Sequence, residues 1–234
     1  MKFRSHMTKR FSGKSKSRAC RRWLPKGSTS FQKTLRRTRA FIFETNDRCL
    51  HSKKARDIFY PAHSAICIIP LTDPSVADFA KSYPTINLAA MKLRKLLKAH
   101  SPRFRFNNDL FDLPYNNATG AIQSRVEYLQ FKNGNGVMFL TQYSQELHPN
   151  PVNNEELTCN FQGLSTDGKY YVAARLTITH PSLPKGIDFT DKIRRDNKRL
   201  YLKKQERLLN TYAEDSFQPS LRTLKQLITS ISIK

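Results

Sequence analysis

The sequence predicts an α+β domain: an antiparallel sheet of about four to six strands, built on two hairpins and packed on one face by two to three helices. Three observations predict it. Strand-like runs are joined by Lys132-Asn133-Gly134-Asn135-Gly136 and by Thr166-Asp167-Gly168, and Asn-Gly and Asp-Gly accept the positive φ that hairpin turns demand. The runs alternate apolar and polar residues, the pattern of an antiparallel sheet with one face covered. The flanking segments carry apolar residues at helical spacing, and no second set of strands is present, so helices must supply the cover.

Residues 65–69 form an apolar, β-branched run stopped by Pro70, which reads as a buried strand. Residues 76–83 read as a helical turn or short helix broken by Pro84. Residues 85–100 read as an amphipathic helix ended before Pro102. Ile86, Ala89, Leu93, Leu96 and Leu97 share a face, and Lys92, Arg94, Lys95 and Lys98 lie mainly elsewhere. Phe104 and Phe106 alternate with Arg103 and Arg105 and suggest a short strand.

The first hairpin pairs 121–131 with 137–144, and the second pairs 157–164 with 169–179. Leu157, Cys159 and Phe161 face one way, and Thr158, Asn160 and Gln162 the other. Val172, Ala174 and Leu176 oppose Tyr171, Ala173, Arg175 and Thr177. A long helix over 191–212 is capped by Thr190, with Asp191 near its positive end. Ile193, Leu200, Tyr201, Leu208 and Tyr212 build its inward stripe. A shorter helix spans 219–229, with Leu221, Leu224, Leu227 and Ile228 inward. Ile231 and Ile233 alternate with serines, so the segment after it reads as an edge strand.

Charge divides the chain. Its 234 residues carry a formal charge of +23, and residues 1–60 hold 18 Lys/Arg against 3 Asp/Glu. With few periodic apolar positions there, residues 1–57 read as a disordered or loosely structured basic arm and 58–234 as a single α+β domain. The arm is open to four readings: a solubilising tail, a contact for nucleic acid or an anionic surface, a transit segment, or an untranslated start. No run of eighteen apolar residues exists, so no segment reads as a transmembrane helix. No secretory signal is visible, because the basic start runs on into more basic residues.

Cys20, Cys49, Cys67 and Cys159 form no close pair, so no zinc site is expected. Cys67 and Cys159 read as small core hydrophobes, and a disulfide between them is open only in an oxidising compartment. No catalytic constellation stands up. The six histidines lie in the arm, at a helix end, or beside loops and prolines. Asp109 with Asp112 looks like turn chemistry, and Glu155 and Glu156 point to opposite sides of a strand, whereas acid–base work needs two carboxyls at one site. There is no nucleophile elbow, phosphate loop or dinucleotide fingerprint. The Asn117-Ala118-Thr119 triplet is discounted as chance. The expectation is no catalytic residue, no metal and no cofactor.

Two surfaces are candidates for binding. One is the polar sheet face of Thr158, Asn160, Gln162, Tyr171, Arg175 and Thr177, expected to meet a protein or small-molecule ligand. The other is the basic helix, where Lys192, Arg194, Arg195, Lys198, Arg199, Lys203, Lys204 and Arg207 fill half of the span 192–207. If these share a side with the cations of 85–100, their field attracts phosphates.

The string Y-L-Q-F-K-N-G-N-G-V-M-F-L-T-Q-Y from Tyr128 resembles an uncharacterised family of bacterial exported proteins and lipoproteins. So do V-N-N-E-E-L-T-C-N-F-Q-G-L-S-T-D-G-K-Y-Y-V-A-A from Val152, S-F-Q-P-S-L-R-T-L-K-Q-L-I-T-S-I from Ser216, and the strand before Pro70. The resemblance covers roughly 60–234 and implies an exported or cell-envelope location. The family has no assigned activity, so it supplies no site residue. The chain departs from it in starting with the basic arm rather than an export signal, which leaves a cytoplasmic location open, and in the basicity of its long helix. The first reading is therefore a non-enzymatic binding or interaction module of that exported family. The alternative is a basic nucleic-acid-associated protein that uses the arm and the helix 191–212.

Overall fold

The computed structural model describes residues 39–43, 64–72, 85–106, 108–110, 118–144, 150–186 and 198–233. The expected short helix at 76–83 and the start of the long helix, with Thr190, Asp191 and Ile193, lie outside them. Seven strands and three helices are described: β1 (Arg39–Phe43), β2 (Ser64–Pro70), α1 (Thr85–Ala99), β3 (Thr119–Gly120), β4 (Ser124–Phe131), β5 (Gly134–Ser144), β6 (Leu157–Ser165), β7 (Tyr170–Thr177), α2 (Lys198–Thr211) and α3 (Leu221–Thr229). A single 3-10 turn, Glu214–Ser216, links α2 to α3.

The fold is α+β: a six-strand antiparallel sheet in the order β1-β2-β7-β6-β5-β4, with three helices packed against it. The two-residue β3 extends the β4 edge beside the far end of β5. Both hairpins form, but the first turn is shorter than the expected 132–136: Gly134, Asn135 and Gly136 belong to β5 and pair on both sides, and none has the positive φ expected there. Phe131 pairs with Gly134 across Lys132-Asn133. In the second turn Gly168 has φ 68°, a conformation that costs glycine little. Ser165 and the Lys169 N–H both donate to Asp167 there, and these bonds hold its carboxyl below the usual range.

The sheet is covered on both faces, which corrects the expectation of one-sided cover. On one face α1 sets Ile86, Ala89, Leu93, Leu96 and Leu97 against Cys67, Val137, Phe139, Tyr171 and Ala173. On the other, Leu209, Leu221, Leu224, Ile228, Ile231 and Ile233 cover Ile66, Met138, Leu140, Phe161, Val172 and Leu176. Chain order explains this: one helix precedes the hairpins and two follow them, and each set takes its own face. Every residue of β6 is buried as a result. Cys67 and Cys159 belong to opposite cores, so the sheet separates them and both thiols are free. The disulfide reading is thereby overturned.

Other differences have local causes. Arg39–Phe43 lies within the segment read as a loose arm, yet pairs antiparallel with β2 from Arg39↔Ile68 to Phe43↔Ser64. Phe104 and Phe106 form no strand. Phe104 is buried edge-on against Phe139 (5.1 Å, 78°), and Phe106 makes only a bridge to Leu110. On α2 the inward stripe is Leu202 and Leu209 with Tyr201, continued by Tyr212 just past its end, whereas the expected Leu208 is only half-buried outside that core and Leu200 is 67% exposed. At about 100° per residue, Leu200 falls on the side away from Leu209. Ile231 and Ile233 are buried without forming a strand. Lys132 N–H donates to Ile231 O (3.1 Å), and Asn133 Oδ1 accepts from Ile233 N–H (3.0 Å), which docks the tail on the first hairpin turn.

Candidate functional site

The antiparallel register brings the six residues of the expected polar face together. Asn160 lies opposite Arg175, and Thr158 lies opposite Thr177. Tyr143 on β5 donates its hydroxyl to Asn160 Oδ1 (3.1 Å), Asn160 Nδ2 donates to Thr158 Oγ1 (2.9 Å), and Thr158 donates to Thr141 O (3.1 Å). The Arg175 guanidinium sits over the Tyr143 ring at 4.3 Å. Tyr171 donates to Gln162 Oε1 (2.8 Å), and the Thr177 and Ser64 hydroxyls are 2.9 Å apart. The face is nevertheless interior. Thr158, Asn160 and Tyr171 are fully buried, and Arg175 is 9% exposed. The hydrogen bonds of Thr158, Asn160, Gln162, Tyr171 and Thr177 run within the ladder, while the buried Arg175 Nε has no hydrogen-bond partner among the described residues and its guanidinium is held over the Tyr143 ring, so polarity here marks an interior network rather than a solvent-facing surface.

His180 and Ser216 are the pair that most resembles catalytic machinery, and sequence spacing gave no sign of it. The Ser182 N–H donates to His180 Nδ1 (3.2 Å), which assigns the ring proton to Nε2. Nε2 lies 2.9 Å from Ser216 Oγ, and that hydroxyl donates to Ala213 O (2.7 Å). A serine nucleophile requires the reverse: Nε2 must accept the hydroxyl proton while Nδ1–H is held by an acceptor. Burial pushes the His180 pKa below its usual value, and the ring stacks on Tyr212 at 3.9 Å and 7°. The pair fastens the end of β7 to the segment after α2. Among the described residues no group of three His, Cys, Asp or Glu side chains is placed to hold a metal ion. No described helix is long and apolar enough to cross a membrane.

The exterior is cationic. On α2, Arg199, Lys203, Lys204 and Arg207 are exposed, and none has a carboxylate in ion-pair range among the described residues. Lys192, Arg194 and Arg195 lie outside the described residues, as does the side chain of Lys198. On α1, Lys95 and Lys98 are exposed, and Arg94 Nη2 donates to Gly168 O (3.3 Å). The two helices cover opposite faces of the sheet, so their cations do not share a side.

A cleft of about 580 Å³ opens beside the β4 edge, where residues 121–123 interrupt the pairing of β3 and β4 with β5. Arg103 and Arg105 form one wall, and Gln123 and Glu206 another. Gln123 clamps the opposite segment: its Oε1 accepts from Phe104 N–H (3.3 Å), and its Nε2 donates to Phe104 O (3.1 Å). Glu206 Oε1 accepts from Gln123 N–H (2.8 Å), and Asn210 Oδ1 accepts from Arg125 N–H (2.7 Å), so α2 is pinned along this edge. Asp109 accepts from Arg105 N–H (2.8 Å) and pairs with its guanidinium, the turn role expected of it.

Comparison of the chain with family models, with curated proteins and with solved structures finds no match.

Proposed function

We propose that this chain is a non-enzymatic α+β binding domain that holds nucleic acid on the cationic surface of α2. The observation that carries the reading is the run of exposed cations on α2, Arg199, Lys203, Lys204 and Arg207, without carboxylate partners among the described residues. The chain as a whole carries +23. Such a surface binds phosphates through release of their counterions. The resemblance to the exported family, which has no assigned activity, bears on the scaffold alone. Its strings fall on β4–β5, on β6–β7 and on α3, the elements that build the scaffold, and the cations of α2 are where this chain departs from it. The interior position of the Asn160–Arg175 face moves the contact surface from the sheet to the helix.

Fluorescence anisotropy with labelled single-stranded DNA, titrated against salt, tests this. Binding is expected at about 50 mM salt and should weaken steeply by about 200 mM, as phosphate neutralisation requires. Lys203→Gln and Arg207→Gln should each lower the salt slope by about 0.7, one phosphate contact apiece. No binding at low salt, or a slope that these changes leave untouched, refutes the reading.

A further inference from the structure

We propose that the cleft beside the β4 edge is the base-reading pocket of this surface, and that it takes one unstacked nucleotide whose base carries an exocyclic amino group. The inference rests on the nucleic-acid reading and adds to it a site and a specificity. Arg199, Lys203, Glu206 and Asn210 are spaced i, i+4, i+7 and i+11, so they form a single stripe of α2. The Asn210 end of that stripe is tied to β4 through Arg125, and Glu206 lines the cleft itself. Arg199 and Lys203 therefore continue the stripe outward from the cleft. Arg103 and Arg105 are exposed on the facing wall. A strand whose phosphates follow these cations must pass the cleft mouth.

The interior of the cleft does not suit phosphate. Glu206 presents a carboxylate there, as does Asp109 beside Arg105. A carboxylate repels the backbone and accepts from an amino group, as Glu and Asp accept from cytosine N4 in direct readout. Glu206 Oε1 is engaged by Gln123 N–H, while Oε2 has no hydrogen-bond partner among the described residues. The Gln123 clamp on Phe104 fixes both walls before a ligand arrives, which reduces the ordering cost of binding. The volume falls in the range of small-ligand sites, about 300–1,000 Å³. Thymine offers a carbonyl oxygen where cytosine offers its amino group, so the pocket rejects it.

The test uses the full chain and two fluorescein-labelled twelve-nucleotide strands, oligo(dC) and oligo(dT), in anisotropy titrations at about 100 mM salt. The wild-type chain should prefer oligo(dC) about fivefold, the worth of one net hydrogen bond. Glu206→Gln keeps an oxygen for Gln123 N–H and should abolish or reverse the preference. Arg103→Gln and Lys203→Gln should weaken both strands alike. Equal wild-type affinities, or a preference that survives Glu206→Gln, would overturn the pocket and leave the cationic surface standing, provided Lys203→Gln still weakens binding. Failure of both strands to bind would overturn the surface and the pocket together. The wild-type comparison needs no variant, so a folding defect in Glu206→Gln does not disarm the test.

Discussion

Phe161 lies over two glycines of neighbouring strand positions, and that contact gives a sharp stability test. A Cβ added at Gly163 would stand 2.7 and 2.9 Å from the Phe161 ring and 3.1 Å from Asn135 O. The ring is fully buried and edge-on to Phe131 (6.0 Å, 84°), so it cannot swing away. Gly163→Ala is therefore overpacking and should cost about 1–3 kcal/mol, against an unfolded-state gain of about 0.4–1 kcal/mol. Phe161→Leu removes the ring-edge atoms that the Cβ would meet and should cost about 1–2 kcal/mol by lost burial and cavity. In the double variant the ring overlap disappears and only the 3.1 Å approach to Asn135 O remains, so the cost should fall short of the sum by about 1–2 kcal/mol. Gly136→Ala is the control. Its Cβ would also stand 2.5 Å from the backbone oxygen of Gln162, which no change at Phe161 moves. It should stay damaging in the Phe161→Leu background. Denaturant titrations followed by circular dichroism, with m-values compared, supply the four free energies. Additivity of Gly163→Ala and Phe161→Leu within about 0.5 kcal/mol would refute the packing argument.

Two further outcomes follow from buried titratable groups. Because burial lowers the His180 pKa below the ordinary 6.5, the unfolded chain takes up the proton first. The contribution of His180 is then complete above about pH 6.5 and is lost as the pH falls below it, at up to about 1.4 kcal/mol per pH unit. Urea midpoints at pH 5 and 7 should differ less in His180→Gln than in the wild-type chain, and an unchanged difference would refute the assignment. Burial pushes the Cys67 and Cys159 thiols up to about 12, so peptide mapping after alkylation at pH 8 should find both unlabelled until denaturant is added. Labelling of either in the folded chain would place it at the surface.

The parts of the fold that were legible were those written locally. Thr166–Gly168 carries its turn chemistry within three residues, Asn133-Gly134 marks the first chain reversal although its glycine belongs to β5, and Ile86, Ala89, Leu93, Leu96 and Leu97 mark α1 by periodicity alone. What the sequence hid depends on distant partners. β1 is a five-residue strand in basic surroundings, and its pairing residues lie in β2. The second covered face was hidden because Thr158, Asn160, Gln162 and Arg175 read as solvent-facing until Tyr143, Thr141 and Tyr171 are seen to meet them. Leu200 leaves the expected stripe because it lies about half a turn from Leu202 and Leu209, and the neighbours that set that phase are distant in sequence. The cleft joins residues 103–106, 109, 119–123 and 206, which no local pattern connects, and the Arg–Phe alternation at 103–106 pointed to a strand instead.

The described cations separate into two groups by what holds them. Arg175 is stacked on Tyr143 in the interior. Arg125, at φ 52°, donates through Nε to Leu209 O (2.8 Å) and serves an orphan carbonyl near the end of α2. Lys225 reaches both Glu127 Oε2 (2.5 Å) and Glu214 Oε1 (2.6 Å), which joins α3 to β4 and to the 3-10 turn. Each of these has structural work within the fold. Arg199, Lys203, Lys204 and Arg207 have none that the described residues show. Exposed charges contribute little to stability even when paired, and a large net charge of one sign acts against compactness through self-repulsion. A solvated helix face accounts for exposed cations as readily as a polyanionic partner does, and the two differ in one observable: only phosphate contacts give Lys203→Gln and Arg207→Gln a smaller salt slope.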